Sequence, residues 1–200
     1  MRCVEYLNVT KFDNLNLLNH HSSINEILQI CVAVVDKIKA VIIEFDDSNK
    51  KGAIGVSEGK NITQAFEFAT KNQMPVIAIV ASSGINVTEG TLALIQMINM
   101  IAAAQAHSKM GLLFICVVTK QTLGGVSASF VQLADVIIAE ENCIFGFSGK
   151  RIIESTTANE LPSDFQTAEF AYKNGLVDIV ASKSEIKSII TKLLNIHNKR

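Results

Sequence analysis

Apolar runs and helical periodicities alternate along this chain. Two β-branched stretches, 30–35 and 40–45, flank the polar Asp36-Lys-Ile-Lys39 and read as a hairpin. Ile24, Ile27, Leu28, Cys31 and Val35 also fit helical spacing, so a helix over 24–38 competes with it. Residues 52–59 read as a loop, and 61–71 as a helix with Ile62, Phe66 and Phe68 partly inward. Pro75 opens a strand at 76–81, and 112–118 is an apolar run of the buried-strand type. Between them, 88–108 predicts a long helix. Its Gln96, Asn99 and Gln105 argue for a central helix packed on several sides and against a bilayer span.

The second half changes element more often. A helix is predicted over 127–133, short strands at 136–139 and 143–147, and a helix over 151–156. Ser163-Asp-Phe-Gln166 has capping-box spacing and predicts a helix ending at Gly175. A strand at 177–180 follows, and the same spacing in Ser182-Lys-Ser-Glu185 opens a final helix to 196. Residues 1–22 are polar and irregular, with a short strand at 4–9. Strands separated by helices imply an α/β class with parallel pairing. The extra short strands suggest a ββα repeat, and no linker divides residues 1–200, so one domain is expected.

Composition narrows the function. The chain is 48% hydrophobic and 18% charged, enough to bury a substantial core. The formal charge of −1 supplies no field for nucleic acid or membrane. Cys3, Cys31, Cys116 and Cys143 form no CxxC pair. Cys31 and Cys116 lie in apolar runs and read as buried thiols, which points to a reducing cytoplasm. His20, His21, His107 and His197 share no metal spacing and read as surface residues, so no metal is expected in this chain. The N-terminus lacks the basic-then-apolar pattern of a signal peptide.

The segment Thr122-Leu-Gly-Gly-Val-Ser-Ala-Ser-Phe130 carries the chemistry. A strand, a diglycine and a small-residue helix start aim backbone N–H groups at one point, which suits an anion or oxyanion. Ser127 and Ser129 have no partner histidine and read as packing or capping residues. Glu89 reads as a cap on its own helix, Arg151 with Glu154 as a structural pair, and Met97, Met100 and Ile101 as core or subunit interface.

Several further pieces stand in register with that segment: Ala81-Ser-Ser-Gly84 with Glu89-Gly90, Ala134-Asp135, Ile144-Phe-Gly-Phe-Ser-Gly149, Arg151-Ile-Ile-Glu154, and Leu161-Pro162 with Phe165-Gln166. Together they make residues 30–194 resemble the carboxyltransferase β subunit of bacterial acetyl-CoA carboxylase, within the crotonase superfamily. The resemblance implies a crotonase-like ββα superhelix. It implies transfer of a carboxyl group from carboxybiotin, on a biotin carboxyl carrier protein, to acetyl-CoA or a related thioester on CoA or acyl carrier protein. It places Gly124 and Gly125 at the oxyanion hole, and Ser83, Gly84, Val126, Gly146 and Phe147 around the substrate. An α-type carboxyltransferase subunit is the implied partner, in a hetero- or homo-oligomer.

The chain also departs from that pattern. The family usually reads Ser-Gly-Gly-Ala-Arg where this chain has Ser82-Ser-Gly-Ile-Asn86. A glycine is lost, which restricts the loop's φ range, and so is a cation that could face phosphate or carboxylate. Lys120-Gln121 replaces Asp-Pro, Lys150 replaces proline, and the four-cysteine zinc ribbon is absent from this sequence. These changes keep two alternatives open: a biotin-independent malonyl-thioester decarboxylase subunit, and a non-catalytic paralogue paired with an α-type subunit.

Overall fold

The hairpin is present and sets one side of a single sheet. In a computed structural model that describes residues 12–14, 27–45, 50–157 and 160–198, β2 (Leu28–Val35) pairs antiparallel with β3 (Ile38–Phe45). The turn is only Asp36-Lys37, with φ of 47° and 73°. Two successive left-handed residues match the natural strand twist, so the competing helix does not form. The short strand β1 (Phe12–Asn14) pairs antiparallel with β2. The strand expected at 4–9 and His20 and His21 lie outside the described residues, as does most of the segment 1–22.

From β3 onward the described strands pair parallel to one another, and an isolated antiparallel bridge joins Ile144 to Thr167. β4 (Val76–Ser82), β5 (Phe114–Thr122), β6 (Val136–Glu140) and β8 (Ile179–Ala181) follow in order across the sheet, and β7 (Ile144–Phe145) pairs with the far end of β5. The crossovers run through α1 (Val56–Lys71) and α2 (Gly90–Lys109), then through a helical segment that is a wide π turn over Val126–Phe130 and a 3₁₀ turn over Val131–Leu133. α3 (Lys150–Thr157), α4 (Ala168–Lys173) and α5 (Lys183–His197) complete the chain. Asp135 ties its neighbour strands: its carboxylate accepts the Phe114 N–H at 2.8 Å, and its own N–H donates to the Phe114 carbonyl at 2.8 Å.

Alternation along the strands divides the core in two. Val76, Ala78 and Val80 face α1 and α2, where Phe45, Phe66, Phe114 and Phe130 form an aromatic cluster; Phe66 meets Phe114 edge-on at 5.0 Å. Ile77, Ile79 and Ile115 face the other way, under Ile186, Ile190 and Leu194 of α5.

Several sequence expectations change. α1 begins at Val56 rather than 61, because its first turn is capped from outside, as described below. Gly59 therefore lies inside the helix, where a Cβ would come within 2.3 Å of Gln96 Cβ; the glycine lets α1 and α2 approach closely. α4 starts at Ala168 with Thr167 as its cap, and Gln166 is instead turned inward at φ 67°. Glu154 meets Lys150 at 3.9 Å rather than Arg151. α2 is not packed on several sides. Ala93, Met97, Met100 and Ala104 are buried, but Leu92, Leu94, Ile95 and Ile98 are 44–65% exposed. By length and composition the segment Val87–Lys109 is apolar enough to span a bilayer, but its inner side belongs to the core on α1. His107 is buried, not on the surface. Its Nδ1 lies 3.1 Å from Thr70 Oγ1 and its ring stands edge-on to Phe66.

Candidate active site

The site is built at the carboxyl ends of β4 and β5, where loops leave parallel strands and leave backbone groups uncommitted. The loop after β4 is clipped to residues 51–54. Ser82 Oγ donates to the Gly52 carbonyl at 2.6 Å and accepts the Gly84 N–H at 3.1 Å. The Ser83 N–H donates to Lys51 O at 2.9 Å, the Ile54 N–H to Gly84 O at 2.9 Å, and the Asn86 N–H to Ile54 O at 2.8 Å. Asn86 then continues the scaffold. Its Oδ1 accepts from the Thr88 hydroxyl at 2.7 Å, and its Nδ2 donates to Glu89 Oε1 at 2.7 Å. Glu89 Oε2 accepts the Val56 N–H at 2.7 Å, so Glu89 caps α1 rather than its own helix.

The loop after β5 packs backbone to backbone on this one. The Leu123 N–H donates to Ser82 O at 2.9 Å. Gly124 has φ 69° and Gly84 φ 112°; a Cβ on Gly124 would lie 3.2 Å from the Gly84 Cα and 3.3 Å from the Ser83 carbonyl oxygen. Both positions therefore require glycine, for conformation and for space. On its other side the loop meets the residues after β7. The Gly124 N–H donates to Phe147 O at 2.8 Å and the Gly146 N–H to Thr122 O at 3.2 Å. Ser127 Oγ lies 2.8 Å from Gly124 O and also against Gly146 O, while the Ser129 hydroxyl donates to Gly125 O. Both serines thus serve the backbone.

Gly125 has ordinary helical geometry, φ −62° and ψ −29°. Its amide and that of Val126 stand in the first turn, where a helix has no acceptor of its own and its dipole is positive. A Cβ here would meet no backbone, only the Ile85 side chain, with Cδ1 at 2.9 Å. Neither Cys116 nor Cys143 offers a reactive thiolate. Cys143 is buried, and burial chiefly, with Glu140 and Glu169, pushes its thiol up to about 12. Burial likewise raises Cys116 far from a reactive thiolate. Among the described residues no cluster of His, Cys, Asp or Glu is arranged to hold a metal ion.

Comparison with known proteins decides the family: residues 34–199 match the carboxyl transferase domain. The chain belongs to the carboxyl transferase domain family. It is 37% identical over 177 residues to the chloroplastic acetyl-coenzyme A carboxylase carboxyl transferase subunit beta of Cyanidium caldarium, covering 88% of this chain and 66% of the relative. It is 44% identical over 146 residues to subunit beta 2 of Lachnospira eligens, covering 73% of this chain and 57% of that one. The chain thus spans between about half and two-thirds of the length of such relatives. Among solved structures, transcarboxylase 12S superposes with a TM-score of 0.83 at 20% identity, over 96% of this chain and 40% of that one. The Pseudomonas malonate decarboxylase MdcD-MdcE hetero-dimer gives 0.79 at 17%, over 96% and 83%. Likeness at this identity speaks to fold, and the fold is the crotonase-like α/β architecture.

Within this carboxyl transferase domain the residues singled out in the sequence occupy different roles. Ser83, Gly84, Gly124 and Gly125 meet where the two loops touch, yet the amides of Ser83, Gly84 and Gly124 are engaged inside the protein. The Val126 side chain is buried in the main core. Gly146 is closed in by Gln166, whose Nε2 would lie 2.2 Å from a Cβ there and donates to Ser148 O at 2.7 Å. Phe147 is 64% exposed beside the Gly124 bond. Ile85 and the Phe147 carbonyl were missed by sequence reasoning. Neither carries a chemical signature, and only the contact between loops reveals them.

Proposed function

We propose that this chain is a β-type carboxyltransferase subunit that moves a carboxyl group from carboxybiotin to acetyl-CoA or a related acyl thioester. The observation that carries this reading is the amide of Gly125, at the first turn of a helix and beside a backbone-packed diglycine bend. Loss of the thioester's α-proton builds negative charge on its carbonyl oxygen. The Gly125 N–H, with the helix dipole behind it, would hold that oxygen; one such donor is typically worth about 3 kcal/mol in the transition state. The C–N bond of carboxybiotin would break first, releasing CO2 and leaving the electron pair on the ureido nitrogen. That nitrogen would take the α-proton, and the enolate carbon would then attack CO2 to form the new C–C bond, so no acidic or basic side chain is required in these loops.

The rest of the assembly belongs to the same proposal. The exposed apolar side of α2, with Leu92, Leu94, Ile95 and Ile98, would be covered by an α-type carboxyltransferase subunit. Support comes from the relatives, which are named as subunits, and from a structural neighbour that is a hetero-dimer. A biotin carboxyl carrier protein would deliver the co-substrate, in the cytoplasm, in malonyl-CoA supply for fatty acid or polyketide synthesis. The test is carboxyl transfer with the co-expressed α-type subunit and carrier protein. Acyl-CoA-dependent transfer is expected. No transfer to any acyl thioester would contradict the proposal, and CO2 release from malonyl-CoA without biotin would indicate the decarboxylase instead.

A further inference from the structure

Ile85 stands where chemistry and shape meet. The loop holding it is fixed from both sides, by Ile54 N–H to Gly84 O at 2.9 Å and Asn86 N–H to Ile54 O at 2.8 Å. Its backbone is therefore not free to swing away. Its side chain is half-buried against the main core, and its Cδ1 and Cγ1 lie 2.9 and 3.2 Å from the position a Cβ would take on Gly125. Gly125 has no side chain to keep other groups at a distance, so the butyl end of Ile85 occupies the space a side chain there would fill.

We propose that Ile85 sets which acyl groups this site accepts. This rests on the carboxyl-transfer reading above, and extends it from the class of reaction to the size of the substrate. A thioester oxygen accepting the Gly125 N–H brings its α-carbon within one bond of the carbonyl carbon, and so beside the Ile85 methyl groups. An acetyl group has no substituent on that carbon and fits. Propionyl and butyryl groups carry one and collide with Ile85. One methylene in an apolar pocket is worth about 10–200-fold in kcat/KM, which is the scale on which Ile85 should discriminate.

The experiment compares acetyl-CoA with butyryl-CoA as acceptors in the reconstituted complex, for the wild type, Ile85→Val and Ile85→Ala. The expected result is a butyryl-to-acetyl ratio of kcat/KM that rises at least about tenfold in Ile85→Ala, with Ile85→Val between. Ile85→Val removes one methyl and keeps the core packing, so it reports even if the alanine variant folds poorly. A purely structural role for Ile85 would lower both activities and leave the ratio unchanged; that result overturns the inference while leaving carboxyl transfer standing. No turnover of either thioester by the wild type would overturn both.

Discussion

The Gly124 amide donates to the carbonyl oxygen of Phe147 at 2.8 Å, and this bond commits the first glycine of the pair to the fold. With Gly124 tied to the bend after β7, the next amide at the helix start is that of Gly125. Gly124 is needed for its left-handed backbone and its contact with Gly84. Under the proposed carboxyl transfer, Gly125 would be needed for its N–H.

Gly124→Ala should damage the fold. At φ 69° a side chain costs about 1–2 kcal/mol in conformation alone, before its contacts with Gly84 Cα at 3.2 Å and Ser83 O at 3.3 Å. The predicted outcome is a lower urea midpoint together with lost activity. An unchanged midpoint would mean that the two loops are not held together as described.

Glu89→Ala should destabilise the protein by about 1 kcal/mol or more, because it removes the acceptor for the Val56 N–H at the start of α1. Glu89→Gln keeps a carbonyl oxygen and should lose less. Equilibrium unfolding of the two variants checks this; equal losses would indicate that the carboxylate acts through charge and not as a cap.

His107 gives a pH dependence with a definite sign. Desolvation by burial lowers its pKa below the ordinary 6.5, against the opposing Leu113 carbonyl and Asp135; a further lowering comes from His197. In the acid range the unfolded chain takes up a proton that the folded chain resists. Stability from this group is thus complete above pH 6.5 and is lost as pH falls below it. His107→Gln should flatten that slope when urea midpoints are compared at about pH 7.5 and about pH 5.5. A slope unchanged by the substitution would place the titrating group elsewhere.

The strand runs at 76–81 and 112–118 and the hairpin at 30–45 were legible because continuous apolar, β-branched runs report directly on burial. The diglycine bend was legible too, since few sequences place Gly-Gly between a buried strand and a helix start. The beginning of α1 was not, because the Val56 N–H is capped by Glu89, 33 residues away in sequence, while the nearby Glu58 reaches back only to the Gly55 N–H. Neither was the inward turn of Gln166, whose capping-box spacing with Ser163 is also satisfied by a side chain filling the space beside Gly146. His107 was misread because its partners, Thr70 and Phe66, lie on another helix. In each case a local pattern lost to a contact distant along the chain.

The sharpest test of the proposed enolate site removes the Gly125 N–H. Gly125 has φ −62°, a value proline can adopt at a helix start, and Ile85→Ala makes room for a side chain there. Carboxyl transfer to acetyl-CoA should then be compared between Ile85→Ala with Gly125→Ala, which keeps the amide hydrogen, and Ile85→Ala with Gly125→Pro, which lacks it. Unfolding midpoints serve as the control for folding. The account predicts that kcat in the proline variant falls about 100-fold or more below the alanine variant. Equal rates in two folded variants would show that this amide does not hold the enolate oxygen, and would contradict the account.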